Sequence, residues 1–173
     1  LLALPFAGAG AVLYILKLRS KTRLKELFFR FLRFLPDTEA LVSSFWDENV
    51  DKIFPWYLEN KNENDIIISA SPEFLLKPIC RRLGIRHLIA SRVDVKTGRY
   101  TGENCYGEEK VRRLREELKK DLGNDLGNDL NNEAEAFVIN EFYSDSLSDL
   151  PLARLAKKSL LVKKGKPMPW LLQ

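Results

Sequence analysis

The sequence predicts an α/β protein with a Rossmann-like parallel sheet and an α-helical cap in its N-terminal third. Residues 1–60 show helical periodicity and no strand pattern. After Asp65, short apolar runs alternate with amphipathic stretches, which is the pattern of parallel βαβ units. The length of 173 residues is typical of one domain, or of a core with a small cap. We therefore expect a helical cap and linker over 1–60 and an α/β core over 61–173.

The composition is that of a soluble globular protein whose positive charge is unevenly distributed. Hydrophobic residues make up 45% and charged residues 30% of the chain, and the net charge is +4. Lys17 to Arg33 carries seven basic residues and one acid, and Leu155 to Lys166 carries five basic residues and no acid. Such patches suit small anionic substrates, phospholipid head groups or nucleic acid. No recognisable nucleic-acid-binding module accompanies them, so a nucleic-acid partner is not expected.

The cysteines and the histidine do not form a pattern that predicts catalysis. Cys80 and Cys105 form neither a disulfide framework nor a metal-ligand spacing. We expect buried thiols in a reducing compartment, and hence a cytoplasmic protein. The single His87 lies in the apolar run Ile85 to Ala90, which favours a packed core histidine over a catalytic one.

The uncharged segment Leu1 to Leu16 leaves two interpretations open. It is shorter than the roughly 20 residues of a full membrane span, and it lacks the basic start of a signal peptide. It is either a buried or interfacial cap helix, or the remnant of a longer segment that touches the membrane. The chain also opens without methionine inside an apolar run, from which we expect that residues precede Leu1.

Helices are expected throughout the N-terminal third. The first two cover Leu1–Leu18 and Ser20–Leu35, the second with an amphipathic apolar stripe. Pro36 ends the second helix, and Asp37 or Thr38 caps a third over Glu39–Trp46. A fourth begins near Val50 and is interrupted at Pro55.

Strands and helices alternate in the predicted core. The expected strands and helices are, in chain order, the strand Ile66–Ser71, the helix Glu73–Leu83, the hairpin arms Ile85–Val95 and Arg99–Asn104, the helix Glu108–Lys120, the strand Phe137–Tyr143, the helix Ser148–Ala156 and the strand Ser159–Lys163. Pro72 suits the start of the first core helix and Gly84 its end. Gly98 suits the left-handed position of the hairpin turn. The repeat Asp121 to Asn132 is expected to be an expanded surface loop.

Two acids follow the strand Phe137–Tyr143. Asp145 and Asp149 lie four residues apart, and open α/β sheets bind ligands at the carboxyl ends of their strands. Because carboxylate oxygens suit Mg²⁺, Asp145 is predicted as the principal metal ligand. Asp149 is predicted as a ligand through water or as a residue that orients its partners. The alternative is that Asp145 caps the next helix and Asp149 is a surface acid.

A hydroxyl segment and a lysine complete the candidate site. Ser69 would donate its hydroxyl to a phosphate oxygen, helped by backbone N–H groups around Ala70 and Ser71. Lys110, at the start of a basic helix, would balance negative charge as a compact cation. The alternatives are that Ser71 is only a helix cap and that Lys110 is a solvated helix lysine.

Together these motifs resemble the phosphatase branch of the haloacid dehalogenase (HAD) superfamily, and most closely its phosphoserine-phosphatase-like group with a helical cap. The likeness covers roughly Asp65 to Pro169. It rests on the strand that ends at Ser69, the hairpin Arg92 to Gly102, Lys110 within Gly-Glu-Glu-Lys-Val, and the Asp-x-x-x-Asp frame of Asp145 and Asp149.

The resemblance implies an Mg²⁺-dependent phosphomonoesterase that works through an aspartyl-phosphate intermediate on a small phosphomonoester. Lys110 and Ser69 would be catalytic, Ser69, Ala70, Ser71 and Lys110 would bind phosphate, and Asp145 and Asp149 would bind the metal. A phospholipid head-group phosphate at a membrane surface is the alternative substrate. The oligomeric state is not implied.

The nucleophile that the family carries in an Asp-x-Asp motif after its first strand does not occur in these 173 residues. In relatives that motif precedes the helical cap, so we expect it before Leu1, and the core is expected to lack its first strand. The chain alone is expected to be inactive, since covalent catalysis needs its nucleophile. The rival interpretation is a non-catalytic pseudo-phosphatase or phosphate-binding module.

Overall fold

The computed structural model describes residues 21–125 and 138–171. The chain divides into two compact units, Leu1–Asn104 and Cys105–Gln173, which we call the first and second unit. The predicted helix Leu1–Leu18 and most of the repeat that begins at Asp121 lie outside the described residues. In the described ranges, none of the helices combines the length and the apolar character needed to cross a membrane.

Residues 21–60 of the first unit form helices and 3₁₀ turns separated by short breaks, as predicted. The predicted fourth helix begins at Pro55, whereas the sequence predicted a start near Val50 and an interruption at Pro55. Helix α1 spans Lys21–Phe29 and continues as a 3₁₀ turn over Arg30–Phe34. Helix α2 covers Thr38–Asn49, and Asp37 caps it by accepting a hydrogen bond from the Ala40 amide at 2.9 Å. After a 3₁₀ turn over Val50–Lys52, helix α3 begins at Pro55 and ends at Asn60.

The first sheet is a parallel pair joined by a helix. Strand β1 (Ile66–Pro72) leads into α4 (Glu73–Leu83), and β2 (His87–Ser91) pairs with β1 in parallel from Ile66 opposite His87 onward. Helix α4 has the predicted bounds, and Gly84 ends it with φ of +73°. The Trp46 indole donates to the Leu75 carbonyl at 2.7 Å, which fixes α2 against α4.

The predicted hairpin after β2 is a turn held by one isolated bridge. Val93 and Tyr100 form an antiparallel bridge, and the Gly98 amide donates to the Asp94 carbonyl at 2.7 Å. Gly98 has φ of +69°, as the turn requires, and a Cβ atom there would lie 2.3 Å from the Phe29 carbonyl oxygen. The turn therefore packs with its backbone directly against the end of α1.

The second unit is a three-stranded sheet with helices. Helix α5 (Glu108–Asp125) precedes β3 (Ile139–Ser144), which leads through a 3₁₀ turn and the short α6 (Leu150–Ala153) into β4. Strand β4 (Ala156–Lys163) pairs with β3 in parallel and with β5 (Lys166–Pro169) in antiparallel fashion. The α/β class predicted from the sequence is thus confirmed.

Several boundaries in the second unit differ from the sequence prediction. Helix α5 continues to Asp125, so the first part of the expected surface loop is helical. The predicted helix Ser148–Ala156 is much shorter, since Ala156 already pairs with Ile139 as the first residue of β4. Parallel pairing with β3 therefore outweighs the helical pattern of the residues before Ser159.

Each unit has its own apolar core. In the first unit the buried side chains around α4 and β2 are Ile79, Cys80, Ile85, Ile89 and Ala90. In the second unit they are Cys105, Val111, Leu114, Leu152, Ala153 and Leu160. Both cysteines are free thiols inside these cores, which confirms their predicted burial.

Candidate functional site

The centre of the candidate site in the second unit is a buried ion pair. Lys110 is 7% exposed and Asp149 is 6% exposed, and the Lys110 Nζ lies 2.7 Å from Asp149 Oδ1. The third position of α5 and the end of the 3₁₀ turn after β3 bring these residues together across 39 positions of sequence. The alternative predictions, a solvated helix lysine for Lys110 and a surface acid for Asp149, are therefore wrong.

Ser144 completes this cluster, although no role was predicted for it from the sequence. Its hydroxyl, at the last position of β3, donates to Asp149 Oδ2 at 2.7 Å. Both carboxylate oxygens of Asp149 therefore already hold a hydrogen bond inside the protein. This occupancy favours Asp149 as a residue that orients Lys110 over one that binds a metal directly. The sequence signal for Ser144 was its place immediately before Asp145 at the strand end.

Serine hydroxyls shape the loop that carries Asp145. The Ser144 hydroxyl accepts the Ser146 amide at 3.0 Å, and the Ser146 hydroxyl accepts the Ser148 amide at 3.3 Å as the cap of the 3₁₀ turn. Ser146, and not Asp145, is therefore the capping residue. The side chain of Asp145 is exposed and makes no hydrogen bond or ion pair with any described residue.

A network of ion pairs among Glu109, Arg112 and Arg113 lies next to Lys110 at the start of α5. Glu109 binds Arg112 through both carboxylate oxygens at 2.6 Å and Arg113 at 2.7 Å. The hydrogen bond from Arg112, followed by that from Arg113, lowers the pKa of Glu109 to about 2. An acid in the first turn also complements the positive end of the helix dipole. This network holds the helix start from which Lys110 projects.

The predicted phosphate-binding segment lies in the first unit. Ser69, Ala70 and Ser71 occupy the carboxyl end of β1, and the Ser69 hydroxyl accepts the Ser71 amide at 3.1 Å. Ser71 is exposed and does not cap α4, whose capping position is Pro72. The Ser69 hydroxyl still has its own proton to donate to a ligand.

Two further side chains fix the Ala70 backbone, and neither was predicted from the sequence. The Ala70 carbonyl accepts Lys25 Nζ at 3.1 Å and the Ser91 hydroxyl at 3.2 Å. The Ser91 side chain also lies 3.1 Å from Asn104 Oδ1 and is fully buried. Helix α1 is therefore tied to the carboxyl end of β1. Neither contact has a local sequence signal, because Lys25 and Ala70 are 45 residues apart.

No group of three or more His, Cys, Asp or Glu side chains that could hold a metal by themselves occurs in the described ranges. Mg²⁺, however, keeps several waters and often takes only one or two protein carboxylates, with substrate phosphate oxygens completing its shell. The exposed and unpartnered carboxylate of Asp145 fits such a ligand.

A family model described as haloacid dehalogenase-like hydrolase matches residues 2–154 of the chain. Two curated relatives share part of this region. A protein of Mycobacterium tuberculosis named as a probable phosphatase is 39% identical over 92 residues, which cover 50% of this chain. A histidinol-phosphatase of Neisseria meningitidis is 30% identical over 105 residues, which cover 58% of this chain. The chain spans 27% and 43% of the lengths of these two relatives.

A solved structure shares the fold. The crystal structure of a protein of unknown function from Bordetella pertussis superimposes with a TM-score of 0.64 and covers 89% of this chain and 71% of its own. Its sequence identity is 22%, so the match concerns the fold alone.

Proposed function

Because the chain belongs to the haloacid dehalogenase-like hydrolase family, we propose that the protein is an Mg²⁺-dependent phosphatase of small phosphomonoesters. The observation that carries this proposal is the buried cluster of Lys110, Asp149 and Ser144 beside the exposed Asp145, at the carboxyl end of β3. A lysine whose position is held by a buried carboxylate is a preorganised cation, and such a group stabilises the negative charge of a transferring phosphoryl group. The phosphatase names of the two relatives support the same reaction class.

In this proposal each candidate residue has one role. Asp145 would hold Mg²⁺, which would supply charge neutralisation at the phosphate oxygens. Asp149 positions Lys110 and, through Ser144, the end of β3 that carries Asp145. Ser69 donates its hydroxyl to a phosphate oxygen, and the amides near Ala70 and Ser71 add further donors. Lys110 uses one of its three N–H donors on Asp149 and has two left for phosphate.

The nucleophile is the part of the reaction that these 173 residues do not supply, since they contain no Asp-x-Asp sequence. An aspartyl-phosphate mechanism requires the motif in a segment outside this sequence. We therefore expect the 173-residue chain to bind phosphate with Mg²⁺ but not to turn over a phosphomonoester. Mg²⁺-dependent hydrolysis of p-nitrophenyl phosphate by the purified chain would contradict this expectation.

The metal role of Asp145 is tested by calorimetry on the purified chain. Mg²⁺ binding in the presence of inorganic phosphate should weaken at least about tenfold in Asp145→Asn, because the variant removes the only charge at the ligand position. Asp51→Asn is the matched control, since Asp51 is also an exposed acid but lies in a 3₁₀ turn of the first unit. Equal Mg²⁺ affinities of wild type and Asp145→Asn would show that Asp145 is not a metal ligand.

The alternative is a non-catalytic pseudo-phosphatase that binds phosphate. It makes the same binding predictions, so the reading frame upstream of Leu1 decides between the two. An apolar strand ending in Asp-x-Asp there supports the phosphatase, and a frame without one supports the binding module.

One observation favours a membrane-surface phospholipid as the substrate. Phe28, Phe31 and Phe34 are 44%, 37% and 59% exposed, and Arg30 and Arg33 lie among them. Aromatic side chains with flanking arginines are typical of a surface that rests on anionic lipid. Sedimentation with anionic but not with zwitterionic vesicles, lost in Phe31→Ser/Phe34→Ser, would support this substrate. Equal sedimentation of both proteins would exclude this use of the surface.

A further inference from the structure

A cavity of about 460 Å³ in the first unit carries a concentration of positive charge that the proposed chemistry does not use. Its walls come from α1 with the first residue of the following 3₁₀ turn, and from the chain around Tyr100. We call it the arginine pocket, after its lining residues Arg23, Arg30 and Arg99.

The charge of this pocket is only partly neutralised. Arg30 and Arg99 make no ion pair with any of the residues that the structure describes. The single acid in the lining is Glu26, and its Oε1 accepts the Tyr100 amide at 3.2 Å. Burial, and then the charge of Glu26, raise the pKa of Tyr100 to about 12, so its phenol adds no negative charge near neutral pH. The guanidinium groups of Arg30 and Arg99 thus line the pocket without an ion pair to any described residue.

A lining of arginine side chains favours the binding of an oxyanion. Concave walls of one sign of charge concentrate counter-ions, and a planar guanidinium donates two parallel hydrogen bonds to a carboxylate or phosphate. The backbone of the pocket is also rigid, because the turn at Gly98 meets the Phe29 carbonyl with no room for a side chain. The backbone that carries the arginines therefore does not have to rearrange when an anion binds.

The pocket is linked to the predicted phosphate-binding segment within the same unit. Helix α1, which carries Arg23 and Glu26, also carries Lys25, whose Nζ donates to the Ala70 carbonyl at 3.1 Å. One helix thus contributes to the pocket and contacts the end of β1.

We propose that the arginine pocket binds a second anionic group of the substrate, a carboxylate or a phosphate on the part that leaves after hydrolysis. The inference rests on the proposed function and narrows its substrates to phosphomonoesters with two anionic groups. Neutral or cationic leaving groups would lack this contact and bind more weakly.

The pocket can be tested in the purified 173-residue chain without turnover. In ¹⁵N-labelled protein at constant ionic strength, inorganic phosphate and succinate are titrated separately while the amide signals of Tyr100 and Gly102 are followed. The probe that gives saturable shifts identifies the preferred group, phosphate or carboxylate. We expect the affinity measured at these amides to fall at least about tenfold in Arg30→Gln and in Arg99→Gln. Arg99→Lys should recover part of it.

Two controls separate the possible failures. Arg115→Gln removes an exposed arginine of α5 in the second unit and should leave the Tyr100 and Gly102 response unchanged. Ser69→Ala should leave that response in place while it abolishes the phosphate response of the Ser69–Ser71 amides. If Tyr100 and Gly102 do not respond, or if they respond equally in wild type and in both arginine variants, anion binding in the arginine pocket is refuted and the proposed function is left intact. A pocket response without any phosphate response at Ser69–Ser71 counts against the proposed function alone.

Discussion

At the scale of single residues, the buried contact of Lys110 with Asp149 combines a structural role with the chemical role that we propose for Lys110. Removing one charge leaves the other buried without a partner, which costs more than the pair contributes. We expect Lys110→Met and Asp149→Leu each to lower the free energy of unfolding by about 3 kcal/mol. The double variant should lose clearly less than the sum, because it leaves no buried charge.

Chemical denaturation of the four proteins in this cycle gives the coupling energy. The exposed pair of Lys158 with Glu141, at a similar distance of 2.6 Å, is the matched control. Glu141→Gln should cost no more than about 0.5 kcal/mol, since solvent screens that pair. Additive losses in the Lys110 and Asp149 cycle would show that the two charges do not depend on one another.

Glu109 makes the stability of the folded chain depend on pH in the acid range. Its folded-state pKa of about 2 lies below the ordinary value of 4.5, so its contribution to stability is complete above about pH 4.5. That contribution is lost as the pH falls towards 2. Allowing for solvent screening, we expect wild type to lose about 1 kcal/mol more than Glu109→Gln over this interval.

Urea unfolding at a series of pH values measures this difference. Glu108→Gln is the control, because Glu108 precedes Glu109 in the same helical turn but is exposed. It should follow the wild-type pH profile. Parallel profiles for wild type and Glu109→Gln would mean that the arginine network does not stabilise the carboxylate.

At the scale of elements, local signals predicted some boundaries and not others. Helix α4 had the predicted bounds because Pro72 and Gly84 each dictate backbone geometry by themselves. The start of β4 was missed because it depends on pairing with β3, including the contact of Lys158 with Glu141. The same reason applies to the site. Asp145 and Lys110 could be proposed as candidate residues from element boundaries, whereas the burial of Asp149 depends on contacts across 39 residues.

At the same scale, substitution of Gly98 separates the strain of a left-handed backbone conformation from the steric clash of an added Cβ atom. An alanine Cβ there would lie 2.3 Å from the Phe29 carbonyl oxygen and 2.8 Å from the Arg30 nitrogen. We expect Gly98→Ala to cost about 3 kcal/mol or more, because backbone atoms cannot yield as a side chain could. Gly84→Ala is the control, since Gly84 has a similar φ of +73° but no atom within 4 Å of the added Cβ.

The control should cost only the left-handed strain of about 1 kcal/mol. Thermal unfolding of the two variants makes the comparison. Equal losses would mean that the turn does not press against the end of α1, and the rigidity argued for the arginine pocket would lose its support.

At the scale of the whole molecule, each unit contains one buried thiol. Cys80 lies in the core of the first unit at 6% exposure, and Cys105 in that of the second at 0%. Burial raises the pKa of both thiols, which further suppresses the reactive thiolate. We expect neither to react with a disulfide reagent in the native chain, and both to react after denaturation.

In a urea titration, Cys80→Ser leaves only the Cys105 thiol to react, and Cys105→Ser leaves only the Cys80 thiol. Each variant therefore reports the thiol reaction of one unit. The two thiols thus report the unfolding of each unit separately, and coincident curves would indicate one cooperative transition. Rapid labelling of either thiol under native conditions would contradict the burial of that core.

Strand β5 closes one side of the second sheet with residues that resist further pairing. It is only four residues long, and Pro167 and Pro169 offer no N–H to a neighbouring strand. An open strand edge is a template on which another chain can add, and this is a common first step towards fibrils. The prolines block such growth at β5. The protein can therefore be kept concentrated without self-association through that edge, which suits it to the calorimetry and NMR titrations that test its site.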